Sequence, residues 1–308
     1  MIRYLKHDDI DKQKWDGCIA DSTNALVYAY SWYLDIVSPR WEALVDDDYQ
    51  AVMPLTWKSR FGMRYLCQPF FTQKLGVFSK NEMSDNLLAA FLDKTKSLFL
   101  FAEINLNASN VLKDSRQHDN YELSLAADYG QLAANYHENT RRNLLKAVKG
   151  NLVTVDDVGV EKLISLFNAD RRKSLPSFNE DSYDVLRDLS VEALRRGSAF
   201  IKGVAHEGGG DVVAAAMFLS DSKKLTFLFS GNSIEGKQSQ AMAFLVDSVV
   251  RQYCGSGLIL DFEGSDDEGL ARFYKGFGSE LVRYNSLNFN NMSWLSSQVL
   301  RLWKKLKS

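Results

Sequence analysis

Three cysteines in 308 residues, Cys18, Cys67 and Cys254, are too few and too odd in number for a disulfide framework. They stand far apart among apolar and aromatic neighbours, as reduced thiols do, and a cytoplasmic location is the expectation that follows. Proline is scarce at four residues, and a composition of 45% hydrophobic and 25% charged residues carries no disordered or collagenous bias. Long apolar runs are missing. Val212–Leu219 and Leu98–Ala102 are among the most apolar segments, and both fall well short of the roughly 20 residues that span a bilayer. The N-terminus, Met1 to Asp9, turns acidic where an export signal needs its apolar stretch, so neither an integral membrane protein nor an exported one is expected.

An excess of one charge is also absent. Lys plus Arg number 37 and Asp plus Glu 39, a net charge of -2, so any phosphate binding must come from a local basic patch. The four histidines, His7, His118, His137 and His206, fall in no H-E-x-x-H or paired-cysteine pattern, and no metal site is expected. Gly231-Asn232-Ser233-Ile234-Glu235 fails the nucleophile-elbow pattern at its last position. Gly255-Ser256-Gly257 precedes a predicted strand instead of following one, unlike a dinucleotide fingerprint. Hydrolase and dehydrogenase chemistries are thereby disfavoured.

What is present is enough chain for two domains, since cores tend to divide beyond about 250 residues. Helical signals over 11–38 end at Ser38-Pro39, because proline disfavours helix in its predecessor. Trp41–Val45, Ala51–Trp57 and Tyr65–Cys67 read as short strands of an antiparallel meander, with turns at Asp46-Asp47-Asp48 and at 59–62. A helix over 84–96 and a strand over 98–105 follow, then a polar loop over 113–120 and a strand over 121–125. In the second half the patterns predict helices at 130–149, 160–171 and 181–196 and strands at 199–206, 212–219 and 225–230. A helix over 237–254, a strand over 258–262, a helix over 267–276 and a strand over 281–289 complete the order β-β-β-α-β-α-β. The predicted class is α/β (α+β): domains at 1–128 and 129–290, each a mixed, largely antiparallel sheet flanked by helices, and a basic amphipathic helix over 291–308.

That order is the one found in GCN5-related acetyltransferases, and three segments sharpen the likeness. Leu270-Ala271-Arg272-Phe273-Tyr274-Lys275-Gly276-Phe277-Gly278 resembles an acetyltransferase motif, with Ser279 where the motif ends in phenylalanine. Leu260-Asp261-Phe262-Glu263-Gly264-Ser265 precedes it as in the Fem-like branch, and Asn139-Thr140-Arg141-Arg142-Asn143-Leu144-Leu145-Lys146-Ala147 resembles a helix of the same branch. The resemblance implies two acetyltransferase-like (GNAT-type) domains and an acyltransferase activity, with transfer of an aminoacyl or acyl group to an amine. The amine would belong to a small molecule or a cell-wall precursor. Coenzyme A enzymes of this superfamily carry a Q/R-x-x-G-x-G/A loop whose backbone N–H groups hold the pyrophosphate. Residues 231–241 lack that glycine spacing. Aminoacyl-tRNA, the donor of Fem-like enzymes, is therefore expected ahead of coenzyme A or an acyl-CoA.

Candidate residues follow from chemistry and resemblance together. Tyr274 is a candidate general acid for the leaving group, its plainer role being to pack a helix on the sheet. Asp261 and Glu263, two apart and so on one face of a strand, could hold an acceptor amine and take its proton; otherwise one caps the next helix. Asn139, Arg142, Asn143 and Lys146 recur at i, i+3, i+4 and i+7 as a polar stripe that could clamp a phosphate, although most basic helix faces are merely solvated. Trp57, Lys58 and Gln73 mix an aromatic wall with polar groups suited to an acceptor pocket. The apolar stripe of 294–307, interspersed with Arg301, Lys304, Lys305 and Lys307, either docks on its own domain or touches the inner face of an anionic membrane. Two rival functions stay open: a coenzyme A-dependent N-acyltransferase acting on a sugar or small amine, and a non-catalytic binding or membrane-surface module of the same fold.

Overall fold

A computed structural model describes residues 1–60, 62–156, 158–170, 178–264 and 266–291. The segment 294–307 lies outside the described residues. The chain divides into two units, Met1–His118 together with the chain from Arg283 on, and Asp119–Val282. These bounds differ from the sequence-based ones at 128 and 290, because strand pairing closes each unit and chain order does not.

In the first unit, β1 (Ile2–Leu5), β2 (Glu42–Asp46), β3 (Ala51–Leu55) and β6 (Phe78–Ser79) form an antiparallel sheet in the order β1-β2-β3-β6. The predicted Asp-rich turn joins β2 to β3. Asp47 and Asp48 take φ of 26° and 42° there, a left-handed backbone that aspartate tolerates better than most residues. Helices α1 (Lys12–Asp21) and α2 (Ser31–Val37) bury Trp15, Tyr33 and Leu34. A second layer holds β4 (Trp57–Arg60), β5 (Met63–Cys67) and β7 (Phe101–Asn105), with β5 parallel to β7. Between those strands runs α3 (Asp85–Leu98), capped by the Ser84 hydroxyl, which accepts from the Leu87 N–H. Its buried residues Leu88, Phe91, Leu92 and Thr95 recur at helical spacing, each apolar one contributing about 2 kcal/mol by leaving water.

The second unit begins with β8 (Gln117–Ser124), α4 (Tyr129–Ala134), α5 (Glu138–Lys149), β9 (Leu152–Val155), α6 (Val160–Asp170) and α7 (Glu180–Arg195). The meander β10 (Ala199–His206), β11 (Ala214–Ser220) and β12 (Lys224–Asn232) follows, then α8 (Ile234–Gln238), α9 (Ala241–Tyr253), β13 (Ile259–Asp261) and α10 (Glu268–Lys275). The sheet order is β8-β13-β12-β11-β10-β9, with β13 parallel to β12 and the other pairs antiparallel. On one face α9 seals a core of Leu225, Phe227, Val246, Val249 and Leu260. On β12, Gly231 is required by close approach, since a Cβ there would stand 2.4 Å from the Phe167 N of α6.

Three expectations change. The helix predicted over 237–254 is two helices, broken at Gln240, which takes a left-handed φ of 64°. The helix predicted over 130–149 is α4 and α5, split because the chain at His137 is extended. The last strand, β14 (Glu280–Asn290), pairs antiparallel with β7, and from Arg283 on it belongs to the first unit. Ladder bonds to a strand some 180 residues upstream leave no local trace in the chain.

Candidate active site

Strand β12 is where the second unit departs from a regular sheet. Met217 faces Phe229 and Phe218 faces Phe227, so Leu228 is the extra residue of a β-bulge. The bulge reverses the side-chain alternation. Before it, Leu225 and Phe227 point to the α9 core while Lys224 and Thr226 point away. After it, Ser230 and Asn232 point to the α9 side. The parallel partner ends early, because β13 pairs with β12 only from Lys224–Ile259 to Thr226–Asp261 and then turns off, so the two strands splay beyond Thr226.

A cavity of about 280 Å³ opens at this splay on the α9 face. Phe227, Ser230 and Asn232 of β12 line it, with Lys237 of α8, Met242 and Ala243 at the start of α9, and Tyr274 of α10. Tyr274 is 6% exposed and stacks on Phe262 with ring centroids 4.7 Å apart. Tyr274 thus both packs its helix against Phe262 and borders the cavity. Helix α9 begins at this cavity with no side-chain cap, which leaves its first N–H groups and the positive end of its dipole at the cavity wall. Neighbouring α8 is capped by the Ser233 hydroxyl, accepting from the Gly236 N–H. Gly236 serves packing, since a Cβ there would stand 2.2 Å from Asn232 Oδ1 and 2.5 Å from the Val213 carbonyl oxygen. The chain after β12 is thus a short capped helix, without the glycine spacing sought in the sequence.

On the opposite sheet face lies a buried charged cluster. Lys224 Nζ is 2.6 Å from Glu122 Oε1 and 3.4 Å from Asp261 Oδ2. Asn120 Nδ2 donates to Asp261 Oδ1 at 3.0 Å and to Glu122 Oε1 at 3.2 Å. Asp261 is 1% exposed, and its Oδ1 also accepts the Glu263 N–H at 2.9 Å. Burial works against the Lys224 ammonium, but Asp261 and Glu122 outweigh it and hold its pKa above the ordinary lysine value. That ammonium thus sits between the two carboxyl groups. Of the two acids Glu122 is the reachable one, since its Oε2 has no hydrogen-bond partner among the described residues.

Asp261 and Glu263 do not share a strand face. The strand ends at Asp261, whose side chain turns back on the Glu263 N–H, and Glu263 takes a left-handed φ of 55°, so period-two geometry stops between them. Burial pushes the Glu263 carboxyl well above the usual carboxylate range. Tyr274 and Asp261, grouped by sequence, lie on opposite sides of the sheet: Leu260 and Phe262 belong to the α9-face core, so Asp261 between them points the other way. The stripe Asn139, Arg142, Asn143 and Lys146 does form one side of α5, yet none of it lines the cavity, and Arg142 Nη2 donates to Asn139 Oδ1 at 2.8 Å.

In the first unit, Trp57 is held between the Arg40 and Arg64 guanidinium groups, 5.3 and 4.0 Å from its ring, and Lys58 Nζ lies 5.8 Å from the Phe70 ring centre. The Gln73 carbonyl accepts from Asn105 Nδ2 at 3.0 Å. These three residues do not line the polar cavity of this unit, a space of about 400 Å³ walled by Tyr65, Cys67, Glu103, Asn105, His118 and Ser286 among others. His118 Nε2 is 2.7 Å from Ser286 Oγ, which donates to Asn105 Oδ1 at 2.9 Å. Sequence reasoning missed this set, along with Glu122, Lys224, Ser230 and Asn232. The strand predicted over 225–230 leaves Lys224 just outside it, whereas β12 begins at Lys224, and the i+2 relation to Thr226 is the signal that places its side chain.

Bulged β12, the parallel β13 that leaves it, and the helix starting at the splay define an acetyltransferase-like α/β fold. Solved structures agree. FemX superposes with a TM-score of 0.67 at 12% identity, over 99% of this chain and all of that one. A tandem GNAT protein from the clavulanic acid biosynthesis pathway gives 0.53 at 12% identity, over 94% of this chain and 98% of that one. The C-terminal domain of a putative lysylphosphatidylglycerol synthetase from Agrobacterium fabrum also gives 0.53 at 12%, over 94% and 95%. No family model and no curated protein sequence matches the chain. The chain has the Fem- and GNAT-like fold that its motifs imply.

Proposed function

We propose that this protein is an acyltransferase that moves an aminoacyl or acyl group from a phosphate-bearing donor to an amine. The observation that carries the reading is the splay of β12 from β13, with a Tyr274-lined cavity on one face and a cluster holding two carboxyl groups on the other. Attack of an amine on an activated carbonyl needs positioning, a base for the ammonium proton and donors for the developing oxyanion, and these demands are met by side chains and backbone alone. In this reading the donor's anionic portion lies against the uncapped start of α9 and Lys237, and its carbonyl sits in the splay. The Tyr274 hydroxyl protonates the leaving oxygen. The acceptor approaches from the Asp261 face, where the cluster attracts an ammonium and Glu122 takes its proton.

The capped α8 in place of a glycine nest favours an aminoacyl ester over coenzyme A. A donor of that kind sets the reaction in the cytoplasm, and the amine of a cell-wall precursor is the acceptor to test first. Thermal-shift titration with coenzyme A and acetyl-coenzyme A separates the donors. A ligand at a hundredfold its Kd adds about 2.7 kcal/mol of stability, several degrees in Tm. No shift is expected with either compound, and aminoacyl transfer from charged tRNA is expected. A clear shift reverses the donor assignment, and absence of transfer from both donor classes refutes the activity.

A further inference from the structure

The most conspicuous sequence motif that the cavity leaves unused is α5, whose outer face has the wrong composition for a merely solvated surface. Inward, the helix buries Thr140 and Ala147 and partly covers Asn143 and Leu144. Outward it presents Arg141, Arg142, Lys146 and Lys149 with one carboxylate, Glu138. Two large apolar side chains stand among them: Leu145 is 63% exposed and Val148 61%. Leu145 has Arg141 and Arg142 one turn before it and Val148 and Lys149 one turn after it, so its neighbours on the helix surface are three cations and a valine.

The four cations are also left uncompensated. Among the described residues Arg141, Lys146 and Lys149 make no ion pair, and Arg142 bonds only to the Asn139 amide. On α7 of the same unit, by contrast, Arg187 meets Glu161, Glu180 and Asp184, and Arg195 meets Glu192. In a chain of net charge -2, four cations without an ion pair among the described residues surround two exposed apolar side chains on one helix face, a composition that suits a partner both anionic and apolar.

We propose that this outer face of α5 docks on an anionic phospholipid surface. Leu145 and Val148 enter the boundary between headgroups and acyl chains, while the longer Arg and Lys side chains extend to the phosphates, as amphipathic side chains do at interfaces. Lipid fits better than nucleic acid. A phosphodiester backbone rewards the cations alone, and single-stranded bases are met by aromatic rings, which this face lacks. The surface is small, so the contact is reversible and salt-sensitive.

The test is sedimentation of the full-length protein with vesicles of phosphatidylcholine alone and of phosphatidylcholine with 30% phosphatidylglycerol. Binding is expected only to the anionic vesicles and is reduced in high salt. Each cation replaced in the series Arg141→Gln, Arg142→Gln, Lys146→Gln and Lys149→Gln weakens binding about fivefold. Leu145→Ser with Val148→Ser, which keeps every charge, weakens it about tenfold. A Leu145→Trp variant, whose site is exposed and so leaves the fold intact, shifts its emission to the blue on anionic vesicles. The proposal is overturned if the wild-type protein ignores anionic vesicles or binds neutral ones equally well. It is also overturned if the double serine variant binds as wild type, which would put the contact on another segment. Binding to a tRNA-length RNA that survives the serine substitutions and tracks charge alone would reassign the face to nucleic acid. None of these readouts depends on acyl transfer, so their failure and failure of the enzymatic reading remain separable.

Discussion

Replacing Lys224 by methionine removes a cation from a cluster in which Asp261 is 1% exposed and Glu122 15%. The substitution keeps the length and the apolar stem of the side chain, so the change is electrostatic. Two carboxyl groups on one sheet face then keep the Asn120 amide but lose the ammonium between them. Removing one partner of a buried ion pair costs about 3 to 5 kcal/mol, because the remaining charge is left desolvated. Against a total stability of about 5 to 15 kcal/mol that is a large loss, measurable as a shift of the urea midpoint at pH 7.

The pH dependence gives a sharper check on the same variant. In the wild type the Lys224 pKa lies above 10.5, so its contribution is fully present below that value and is lost as the pH climbs through the folded pKa. The variant lacks that titration, so the gap between variant and wild type should be full at pH 7 and should close as the pH rises through the folded lysine value. Neutralising the whole cluster, with Lys224→Met, Glu122→Gln and Asp261→Asn together, should recover most of the loss. A loss below about 1 kcal/mol at pH 7, or one that ignores pH, would refute a charge-compensated cluster.

Three further outcomes are expected. Tyr274→Phe should lower transfer about 10² to 10⁴-fold in a single-turnover assay while leaving the melting temperature nearly unchanged, since the stacking on Phe262 persists; equal activity would remove it as general acid. Gly264→Ala should cost about 3 kcal/mol by denaturant titration, because φ is +39° and the new Cβ would stand 2.2 Å from the Asp119 carbonyl oxygen. For Glu263, whose folded pKa burial raises, the stabilising effect of the neutral carboxyl is present below its unfolded value and is lost as the pH rises through the folded one. Glu263→Gln should therefore flatten stability between pH 4 and pH 8, and a curve parallel to the wild type would contradict the buried neutral acid.

Local periodicity carried much of the architecture. The α3 stripe of Leu88, Phe91 and Leu92, the Asp-rich turn at 46–48 and the meander of β10, β11 and β12 were all legible, because each depends on residues a few positions apart. The segment 270–278 pointed to Tyr274 at a helix following a strand, and that helix lines the cavity. Composition also fixed what the chain does not offer: no disulfide framework in the sequence, and among the described residues no helix long and apolar enough to cross a membrane.

Tertiary structure alone decided the rest. A single extra residue at Leu228 reverses which side chains of β12 face α9, so Ser230 and Asn232 reach the cavity while Lys224 meets Asp261 and Glu122 on the far face. No pattern within β12 announces the bulge, since it exists only against the register of β11. The pairing of β14 with β7 and the joining of Asn120 and Glu122 to Asp261 likewise span well over a hundred residues. Alternation along a strand says that neighbouring side chains diverge; which face becomes core, cavity or charged cluster is set by the partner strand, and the partner is chosen by the energy of the whole sheet.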